Sequence, residues 1–403
     1  MNVLFLSLID FSSFDERNIY SDLLREFIKN GHRVFCISPI EKRKNKETSL
    51  LRFGENSILK PKIGNIQKVG LIEKGISTLQ IEPIFIRCIK KYFSDIKFDL
   101  VLYATPPVTF AKVIRFVKKR DGAKSYLMLK DIFPQNSVDL GMLSKSGAKG
   151  IIYRYFRRKE KALYALSDSI GCMSQANVDY LLLHDPEIPR DKIGICPNSI
   201  CVEDSIKSDA QKAALRQKYN IPADKTVFIY GGNLGKPQGI PFIIECLRAN
   251  SCYDDRFFVI CGTGTEYPRL KEYIDAEKPK NVLLINGLEK NEYESFVGCC
   301  DIGLIFLDHR FTIPNFPSRL LSYMQKSMPV LACTDPNTDI GKVIAEGGFG
   351  WQCESDIPAH FTEAVDTALA SDISEAGKNA LYYLKENYTA KISYDIIMRG
   401  MAR

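Results

Sequence analysis

Short apolar runs rich in β-branched residues alternate along the first half of the chain with segments whose apolar residues recur every three to four positions. The runs predicted as strands are Asn2–Ser7, Arg33–Ser38, Leu100–Tyr103, Lys124–Leu129, Ser169–Met173 and Ile193–Cys196. The segments predicted as helices are Glu16–Asn30, Ile81–Tyr92, Pro107–Arg120, Gly150–Leu166 and Gln175–His184. Such alternation is typical of βαβ units and predicts a mostly parallel, doubly wound α/β sheet. Only Ile40–Thr78, which is polar and Lys-rich, lacks a clear period, and we predict a long excursion with room for one helix there.

A second series of the same kind begins at Thr226. Its predicted strands are Thr226–Tyr230, Phe257–Cys261, Val282–Ile285, Ile302–Phe306, Pro329–Cys333 and Phe349–Gln352. Its predicted helices include Glu292–Cys299, Ser318–Lys326 and Asp339–Glu346, and a final helix covers about Ala390–Arg399. We therefore predict two Rossmann-like domains, one over 1–198 with a C-terminal helix of about 388–403 packing back on it, the other over 199–387. The link is Asn198–Lys207, and the two sheets are expected to face a central cleft.

Length and composition agree with two soluble domains, because 403 residues exceed what one domain normally holds, with 45% hydrophobic and 26% charged residues. Met1–Ile9 is apolar but is followed by Asp10 and lacks a basic start, which predicts a first strand and not a signal peptide. No apolar run approaches the ~20 residues that a spanning helix needs. The 12 cysteines form no C-x-x-C pair and the four histidines are isolated, which favours reduced thiols in a cytoplasmic protein over a zinc or disulfide framework.

Charge is distributed unevenly, with a net charge of +12 over residues 1–200 and −5 over residues 201–403. The basic half is either an ordinary solvated surface or a face that meets an anionic membrane or a phosphate-bearing acceptor. Two segments favour a membrane. Ile81–Phe93 places apolar residues on one helical face and Arg87, Lys90 and Lys91 towards another, and Ile151–Lys161 is strongly basic. For either segment alone, an ordinary amphipathic helix packed on its sheet is the more common explanation of such a pattern.

Two glycine-rich loops follow neighbouring strands of the second series. The first, YGGNLGKPQG, runs from Tyr230 to Gly239, and the second, CGTG, runs from Cys261 to Gly264. Glycines let a ligand approach the backbone, the helix after the first loop offers free N–H groups, and Lys236 adds a cation for phosphate. Either loop alone is also explained as a tight turn without a ligand, and neither matches G-x-G-x-x-G or a P-loop. Two such loops on adjacent strand ends suit a nucleoside diphosphate.

A third segment, NFPSRLLSYMQKSMPVLA over 315–332, starts a helix near Pro317 and Ser318. Arg319 then lies in the first turn, where a cation is unfavourable beside the helix dipole unless an anion is close. We predict that Arg319 points into the cleft, although a solvated arginine remains the alternative. Tyr323 lies one turn later on the same face.

The C-terminal half resembles the retaining glycosyltransferases of family 4, which have the GT-B fold. The segments that carry the resemblance are DSIGCMSQA at 168–176, CPNSI at 196–200, YGGNLGKPQG at 230–239, CGTG at 261–264, NGLEKNE at 286–292 and PSRLLSYMQKSMPVLA at 317–332. In the N-terminal half, GHRV at 31–34 and KDIFPQNSVDLGML at 130–143 look like the bacterial subgroup that builds O-antigen and capsule polysaccharides.

The resemblance implies that the C-terminal domain holds a nucleotide-sugar donor and the N-terminal domain an acceptor, often a polyprenyl-diphosphate-linked sugar at the inner membrane face. The donor-binding residues expected on this basis are Gly231, Gly232, Asn233, Gly235, Lys236, Gln238, Gly262, Gly264, Glu289, Pro317, Ser318, Ser322 and Tyr323. Ser12, Ser13 and Asn18 are the acceptor-binding candidates, and Asp131, Lys130 and Arg319 are the catalytic candidates.

The chain departs from the family pattern at several positions. The two glutamates of the family signature, which have seven residues between them, fall at Pro314 and Ser322, and the second glutamate commonly binds the donor ribose. The usual arginine and lysine of the donor loop fall at Asn233 and Gln238, which leaves Lys236 and Arg319 as the cations for the diphosphate. Lys130 stands where many members carry a histidine.

The resemblance implies transfer of a hexosyl or N-acetylhexosaminyl group with retention, with a UDP-sugar favoured as donor, no cofactor, no metal and no nucleic-acid partner. The expected location is cytoplasmic and peripheral, at the anionic inner face of the cell membrane. Two alternatives remain open. The missing glutamates favour a non-catalytic, glycosyltransferase-like partner subunit, and a GT-B sugar-nucleotide epimerase is the second alternative.

Overall fold

The computed structural model describes residues 1–66, 69–203 and 206–402, and it divides the chain into two compact units. The first unit is Met1–Cys201 together with Ala390–Arg403, and the second is Val202–Thr389. Asp204 and Ser205 of the predicted link, Gln67 and Lys68 of the predicted excursion, and Arg403 of the predicted last helix lie outside the described residues.

The first unit is built on an eight-stranded sheet. Its strands, with a short additional pair, are β1 (Asn2–Leu6), β2 (Arg33–Ile37), β3 (Ile40–Glu41), β4 (Ser49–Phe53), β5 (Asn56–Lys60), β6 (Lys62–Ile63), β7 (Leu100–Thr105), β8 (Lys124–Leu129), β9 (Ser169–Cys172) and β10 (Ile193–Ile195). The order is β10-β9-β8-β7-β1-β2-β5-β4, and β3 pairs with β6. All neighbours are parallel except β4, which runs antiparallel to β5 at the edge. The predicted parallel, doubly wound sheet is confirmed.

Helices cover both faces of this sheet. They are α1 (Ile19–Lys29), α2 (Leu71–Tyr92), α3 (Ala111–Asp121), α4 (Gln135–Asp139), α5 (Gly147–Leu166) and α6 (Gln175–His184). The last helix of the chain, α15 (Ala390–Ala402), packs against α1 in this unit, where Tyr394 Oη lies 2.8 Å from His32 Nε2 and Ile397 is fully buried.

The prediction for Ile40–Thr78 is wrong in part, because this stretch contains four strands before α2. A two-residue turn at Gly54 and Glu55 joins β4 to β5. The antiparallel edge pair shows little apolar alternation, because β4 has no buried residue. The predicted helix Ile81–Tyr92 begins ten residues earlier, at Leu71, since Pro83 lies inside α2 without ending it. A proline within a helical pattern normally indicates a break, which explains the short prediction.

The apolar face of α2 is core. Ile81, Phe85 and Ile89 are fully buried, and the ring of Phe85 stacks on Phe110 at 5.6 Å. The interpretation of Ile81–Phe93 as a helix packed on its sheet is therefore the correct one, because that face has no surface left for a membrane.

The second unit contains a six-stranded sheet, parallel throughout, in the order β13-β12-β11-β14-β15-β16. Its strands are β11 (Thr226–Asn233), β12 (Arg256–Thr263), β13 (Val282–Ile285), β14 (Ile302–Phe306), β15 (Val330–Thr334) and β16 (Gly350–Glu354). Its helices are α7 (Asp209–Lys218), α8 (Ile240–Ala249), α9 (Tyr267–Glu277), α10 (Lys290–Val297), α11 (Arg319–Gln325), α12 (Ile340–Gly347), α13 (Pro358–Leu369) and α14 (Ile373–Asn387). Phe228, Phe258, Phe306 and Phe361 anchor one core cluster.

All 12 cysteines are free thiols, nine of them buried, as the scattered spacing indicates. Within the described ranges, none of the helices combines the length and the apolar composition that crossing a bilayer requires.

Candidate functional site

The two glycine loops lie side by side, because β11 and β12 run parallel in register through their last residues. Gly231 pairs with Cys261, Gly232 with Gly262 and Asn233 with Thr263. Beyond the strands, the Leu234 amide donates to the Thr263 carbonyl at 2.9 Å, and the Glu266 amide donates to the Leu234 carbonyl at 2.9 Å. β11 therefore continues three residues past the predicted strand end at Tyr230, and the two loops form one hydrogen-bonded edge.

Close packing of backbone on backbone requires two of the glycines. A Cβ atom on Gly262 would lie 1.8 Å from the Gly232 carbonyl oxygen, and one on Gly264 would lie 2.1 Å from the Leu234 carbonyl oxygen. Both contacts are far shorter than any van der Waals distance, so these positions exclude every side chain. The glycines thus have a structural reason that is independent of any ligand.

The loop after β11 is fixed by one amide side chain. Gln238 Oε1 accepts from Asn233 Nδ2 and from the Gly235 amide, both at 3.1 Å. The loop then passes through a 3-10 turn at Lys236–Gln238, in which Lys236 is exposed, and reaches α8 through Gly239 with φ of +63°. Because Gly239 has no side chain, the first amides of α8 carry no side-chain cap, which is a geometry that favours an anion.

Arg319 stands at the start of α11 and is bound to the end of β11, so the alternative of a freely solvated arginine is wrong. Its Nη1 donates to the Gly231 carbonyl at 2.8 Å, and its guanidinium lies 4.2 Å from the centre of the Tyr230 ring. A Cβ atom on Gly232, whose φ is +132°, would lie 3.1 Å from Arg319 Nη2. The guanidinium is therefore held against the end of β11. Pro317 is half-buried beside it, and Ser318 is the exposed N-cap of α11 without a side-chain hydrogen bond.

Tyr323 supports this edge from inside. Its side chain is fully buried, and its hydroxyl accepts from the Gly231 amide at 3.2 Å. The same hydroxyl lies 3.1 Å from the Ile229 carbonyl and 3.2 Å from the Leu304 carbonyl, so it joins β11 to β14. Tyr323 follows Arg319 by one turn as predicted, yet it lies beneath the strand and not on an open surface.

Helix α11 also contributes the hydroxyl of Ser322 to this region. Ser322 Oγ is buried and has no hydrogen-bond partner within the described parts of the chain. A buried hydroxyl without a partner is uncommon and costs free energy. Glu289, the other acidic candidate of this region, is the exposed N-cap of α10 and makes no side-chain cap bond.

One residue of this edge was missed by the sequence. The hydroxyl of Tyr293, on α10, lies so close to β11 that a Cβ atom on Gly231 would come within 1.8 Å of it. The absence of a side chain at Gly231 therefore leaves space for the Tyr293 hydroxyl, while the Gly231 amide donates to the Tyr323 hydroxyl. The only available signal was the position of Tyr293 one turn after Glu289, which does not distinguish it from a surface tyrosine.

In the first unit, Lys130 and Asp131 follow β8 directly. Burial raises the pKa of the Asp131 carboxyl to about 6, although Asn136 Nδ2 donates to both of its oxygens at 2.9 Å and favours the charged form. Burial also lowers the pKa of Lys130, whose Nζ lies 3.3 Å from the Pro197 carbonyl and 3.5 Å from the Cys196 carbonyl. This edge therefore holds two ionisable groups with perturbed pKa values, which is common at functional sites.

The three acceptor-binding candidates lie in the segment that leads into α1. Asn18 caps α1, and its Oδ1 accepts from the Tyr20 and Ser21 amides at 2.9 and 3.0 Å. The Ser12 amide donates to Glu16 Oε1 at 2.6 Å, and Ser13 Oγ donates to Asp15 Oδ2 at 3.2 Å. These contacts shape the loop itself. The first residues of α1, Ile19 and Tyr20, line a cavity of about 10 Å³ next to Lys130.

Comparison with known proteins gives a family match that lies within the second unit. Residues 211–385 match the family described as glycosyl transferases group 1. These findings support a glycosyltransferase. The chain is similar to a probable glycosyltransferase of Pseudomonas aeruginosa, WbjE, with 25% identity over 327 residues that cover 81% of this chain and 79% of the relative. It is also similar to the putative colanic acid biosynthesis glycosyl transferase WcaI of Escherichia coli K12, with 21% identity, 61% of this chain and 60% of the relative covered.

Among solved structures, Anabaena HepE in complex with UDP superposes with a TM-score of 0.70 at 13% identity, covering 100% of both chains. The predicted GT-B fold is confirmed. All of the predicted donor-binding residues lie within the group 1 glycosyltransferase match, whereas Lys130, Asp131 and the acceptor candidates lie outside it.

Proposed function

We propose that this glycosyltransferase is a family 4, retaining enzyme that moves a sugar from a nucleoside-diphosphate donor to a saccharide on a polyprenyl diphosphate, in cell-surface polysaccharide synthesis. The single observation that carries the proposal is the joined glycine edge of β11 and β12, which ends at the uncapped start of α8. The name of WcaI supports polysaccharide synthesis, and UDP in the HepE structure favours a UDP-sugar over other donors.

The second unit supplies what the leaving group needs. As the bond to the sugar breaks, negative charge develops on the nucleoside diphosphate, and preorganised donors stabilise that charge. The amides at the start of α8 and the exposed Lys236 supply this stabilisation directly. Arg319 donates one N–H to the Gly231 carbonyl, which fixes the position of its guanidinium. Its remaining N–H groups and its positive charge are then available to the diphosphate.

The first unit supplies a carboxylate for the acceptor. Asp131, once ionised, orients the attacking hydroxyl, and Lys130 adds a positive field beside it. In a retaining, front-face displacement the leaving phosphate oxygen accepts the hydroxyl proton, so no separate base is needed. The sugar, hexosyl or N-acetylhexosaminyl, transfers without a metal or a cofactor in this scheme.

Ser322 takes the position of the missing ribose-binding glutamate, as Pro314 takes that of the first. The unpartnered Ser322 Oγ supports a role towards a polar ligand, because binding would satisfy a buried hydroxyl. A single hydroxyl holds a ribose less firmly than a carboxylate. We therefore propose a modest nucleotide affinity, with Glu289 as the acidic group available in the neighbouring turn.

The proposed setting is the anionic inner face of the cell membrane, to which a cytoplasmic, peripheral enzyme brings its acceptor site, without any nucleic-acid partner. The excess of positive charge in the first 200 residues supports this setting. The loss of both family glutamates at Pro314 and Ser322 specifically favours a second candidate, a non-catalytic partner subunit that keeps the fold. A sugar-nucleotide epimerase has no such support.

Thermal unfolding with UDP-, GDP- and dTDP-sugars, followed by donor hydrolysis, tests the proposal. A ligand that binds only the native state raises Tm, and UDP-sugars are expected to give the largest shift. Arg319→Ala should weaken donor affinity by about 1.5–3 kcal/mol, since it removes a charge-assisted contact, whereas Arg310→Ala, an exposed arginine paired with Asp308, is the matched control. Donor binding without hydrolysis or transfer would favour the partner subunit, and unchanged affinity in Arg319→Ala would contradict the donor site.

A further inference from the structure

The start of α5 exposes a group of large apolar side chains that the sheet does not use. Ile151 is 64% exposed and Ile152 is 47% exposed, and Tyr155 and Met142 are exposed beside them in the chain. A second group stands on the first half of α2, where Ile76 and Leu79 are 55% and 61% exposed. Single exposed apolar residues are ordinary, but clusters of them mark surfaces that meet another molecule or a membrane.

The two groups lie at the same end of the first unit. α3 packs against both α2 and α5, and Lys159 Nζ of α5 lies 3.6 Å from Glu82 Oε2 of α2. The three helices lead into β7, β8 and β9, which are parallel to one another, so the helices run in one direction. In both helices the exposed apolar residues precede the Lys159–Glu82 ion pair by one to two turns. They therefore lie towards the edge where β8 ends and Asp131 begins.

The charge around the α5 group has one sign. Residues 140–159 contain six lysines and arginines and neither aspartate nor glutamate. Arg157 is bound to Glu160 and Asp185, and Lys159 to Glu82. The other four, which are Lys145, Lys149, Arg154 and Arg158, are exposed and form no ion pair with any described residue.

We infer that the α5 surface, defined as Met142, Ile151, Ile152 and Tyr155 with Lys145, Lys149, Arg154 and Arg158, docks on the headgroups of an anionic lipid bilayer. The apolar side chains enter the headgroup boundary, while unpaired cations beside them meet lipid phosphates. A folded protein partner would need acidic groups matched to each cation, whereas a bilayer presents negative charge at every position.

This inference deepens the proposed function. Binding to lipid does not depend on that function, but the purpose of the binding, which is to reach a lipid-linked acceptor, rests on it. The α5 surface lies at the edge of the sheet that carries Asp131, so docking brings that edge to the lipid from which a polyprenyl-linked acceptor arrives. The docking segment also differs from Ile81–Phe93, whose apolar face is buried and whose exposed Arg87 and Lys90 stand at the opposite end of α2.

Co-sedimentation of the full chain with vesicles tests the inference. Vesicles of phosphatidylcholine and phosphatidylglycerol in equal amounts are expected to bind the protein in a salt-sensitive way, and vesicles of phosphatidylcholine alone to bind it far less. Ile151→Ser with Ile152→Ser should weaken binding at least about tenfold. The matched control is Leu183→Ser on α6, where Leu183 is 75% exposed, and it should bind like the unchanged protein.

A second pair of variants separates this surface from net charge. Lys149→Glu with Arg154→Glu should weaken binding more than about twentyfold, since each basic residue near the surface contributes separately. Arg87→Glu with Lys90→Glu changes the net charge equally but is expected to cost less than about fivefold, because its charges lie farther from the bilayer and are screened. Equal losses in both pairs, or equal binding to both kinds of vesicle, would overturn the inference.

Two measurements keep the alternatives apart. Sedimentation equilibrium that shows a dimer, lost in Ile151→Ser with Ile152→Ser while vesicle binding is absent, would assign the surface to a second copy and overturn docking on lipid. The Tm shift with UDP should be unchanged in all of these variants. Vesicle binding without any UDP shift would overturn the proposed donor site and leave the docking surface intact.

Discussion

The carboxyl edges of the two sheets are built from different chemical groups. In the second unit the edge is backbone, in which Gly232 and Gly262 touch and the Leu234 and Thr263 peptides bond to each other. In the first unit no glycine follows β1, β7 or β8 directly, and β8 is followed by Lys130 and Asp131. Similar parallel sheets therefore present fixed peptide dipoles in one case and titratable side chains in the other.

This difference has a physical consequence for pH and for mutation. Peptide amides carry the same partial charge at every pH, so an edge made of them binds an anion without titrating. A buried carboxyl with a raised pKa changes its charge near neutrality. The function of the sheet edge in the second unit should therefore be sensitive to added side-chain volume, and that of the sheet edge in the first unit to pH.

The largest effect is expected at Asp131. Asp131→Asn keeps the size of the side chain but removes the charge that we propose orients the acceptor, so kcat should fall about 100-fold or more. Because burial raises the pKa of Asp131 to about 6, the activity of the unchanged protein should rise with pH through that value. Asp131→Asn should lose this acid limb, as seen in rates measured from about pH 5 to pH 8.

The control for that experiment is Asp179→Asn, an exposed carboxylate on α6 that should keep both the rate and the limb. The stability of the protein gives a second readout with a definite sign. A carboxyl whose folded pKa exceeds its unfolded value of 3.8 contributes its stability below that unfolded value and loses the contribution as pH rises to about 6. A limb that persists in Asp131→Asn would assign the titration to another group.

A smaller loss is expected when volume is added to the backbone edge. Gly262→Ala places a Cβ atom 1.8 Å from the Gly232 carbonyl oxygen, and a strand cannot move aside as a side chain can. The free energy of unfolding should fall by about 1–3 kcal/mol, measured by urea denaturation, and donor affinity should fall with it. Gly194→Ala on β10 is the matched control, because nothing lies within 4 Å of its Cβ position. Equal stability of the two variants would show that the β11–β12 edge tolerates a side chain.

The smallest effect is expected from Tyr323→Phe. The change removes a hydroxyl that binds the Gly231 amide and the Leu304 carbonyl on the neighbouring strand β14, and it leaves the ring in place. Loss of about 1 kcal/mol of stability is expected, with a modest rise in the donor Kd, because the amide of Gly231 becomes unpaired. Tyr382→Phe on α14, where the side chain is 68% exposed, should change neither quantity. A loss of donor binding without any loss of stability would mean that Tyr323 contacts the donor itself.

The sequence predicted the alternation of strands and helices well, because buried parallel strands are recognisable as short continuous apolar runs. It placed the two glycine loops on neighbouring strands for the same reason. It could not predict which side of β11 each side chain occupies. Arg319 was expected to point into the cleft with Tyr323 on the same helical face, whereas Arg319 binds the end of β11 and Tyr323 is buried beneath that strand. Tyr293 was missed altogether, since its contact with Gly231 joins residues far apart in the chain.

Local polar contacts limited the prediction elsewhere. Asn18 was expected to bind an acceptor, but an asparagine before an amphipathic run is equally a helix cap, and the side-chain oxygen is used in that way. In α2 the buried face was visible in the sequence, yet whether it met the sheet or a bilayer depended on the packing of Phe85 against Phe110. Patterns along the chain show which residues share a face, and only the packing shows what that face meets.

The return of the chain to its first unit has a consequence for how the protein is made. Residues 202–389 are synthesised before α15, yet α15 supplies Ile397 and Tyr394 to the core around α1. During translation, the first unit therefore cannot complete its core until α15 has been synthesised, which happens after the whole second unit. A nascent first unit must keep the apolar surface of α1 uncovered for that interval, and chaperones that recognise such surfaces have that long to act.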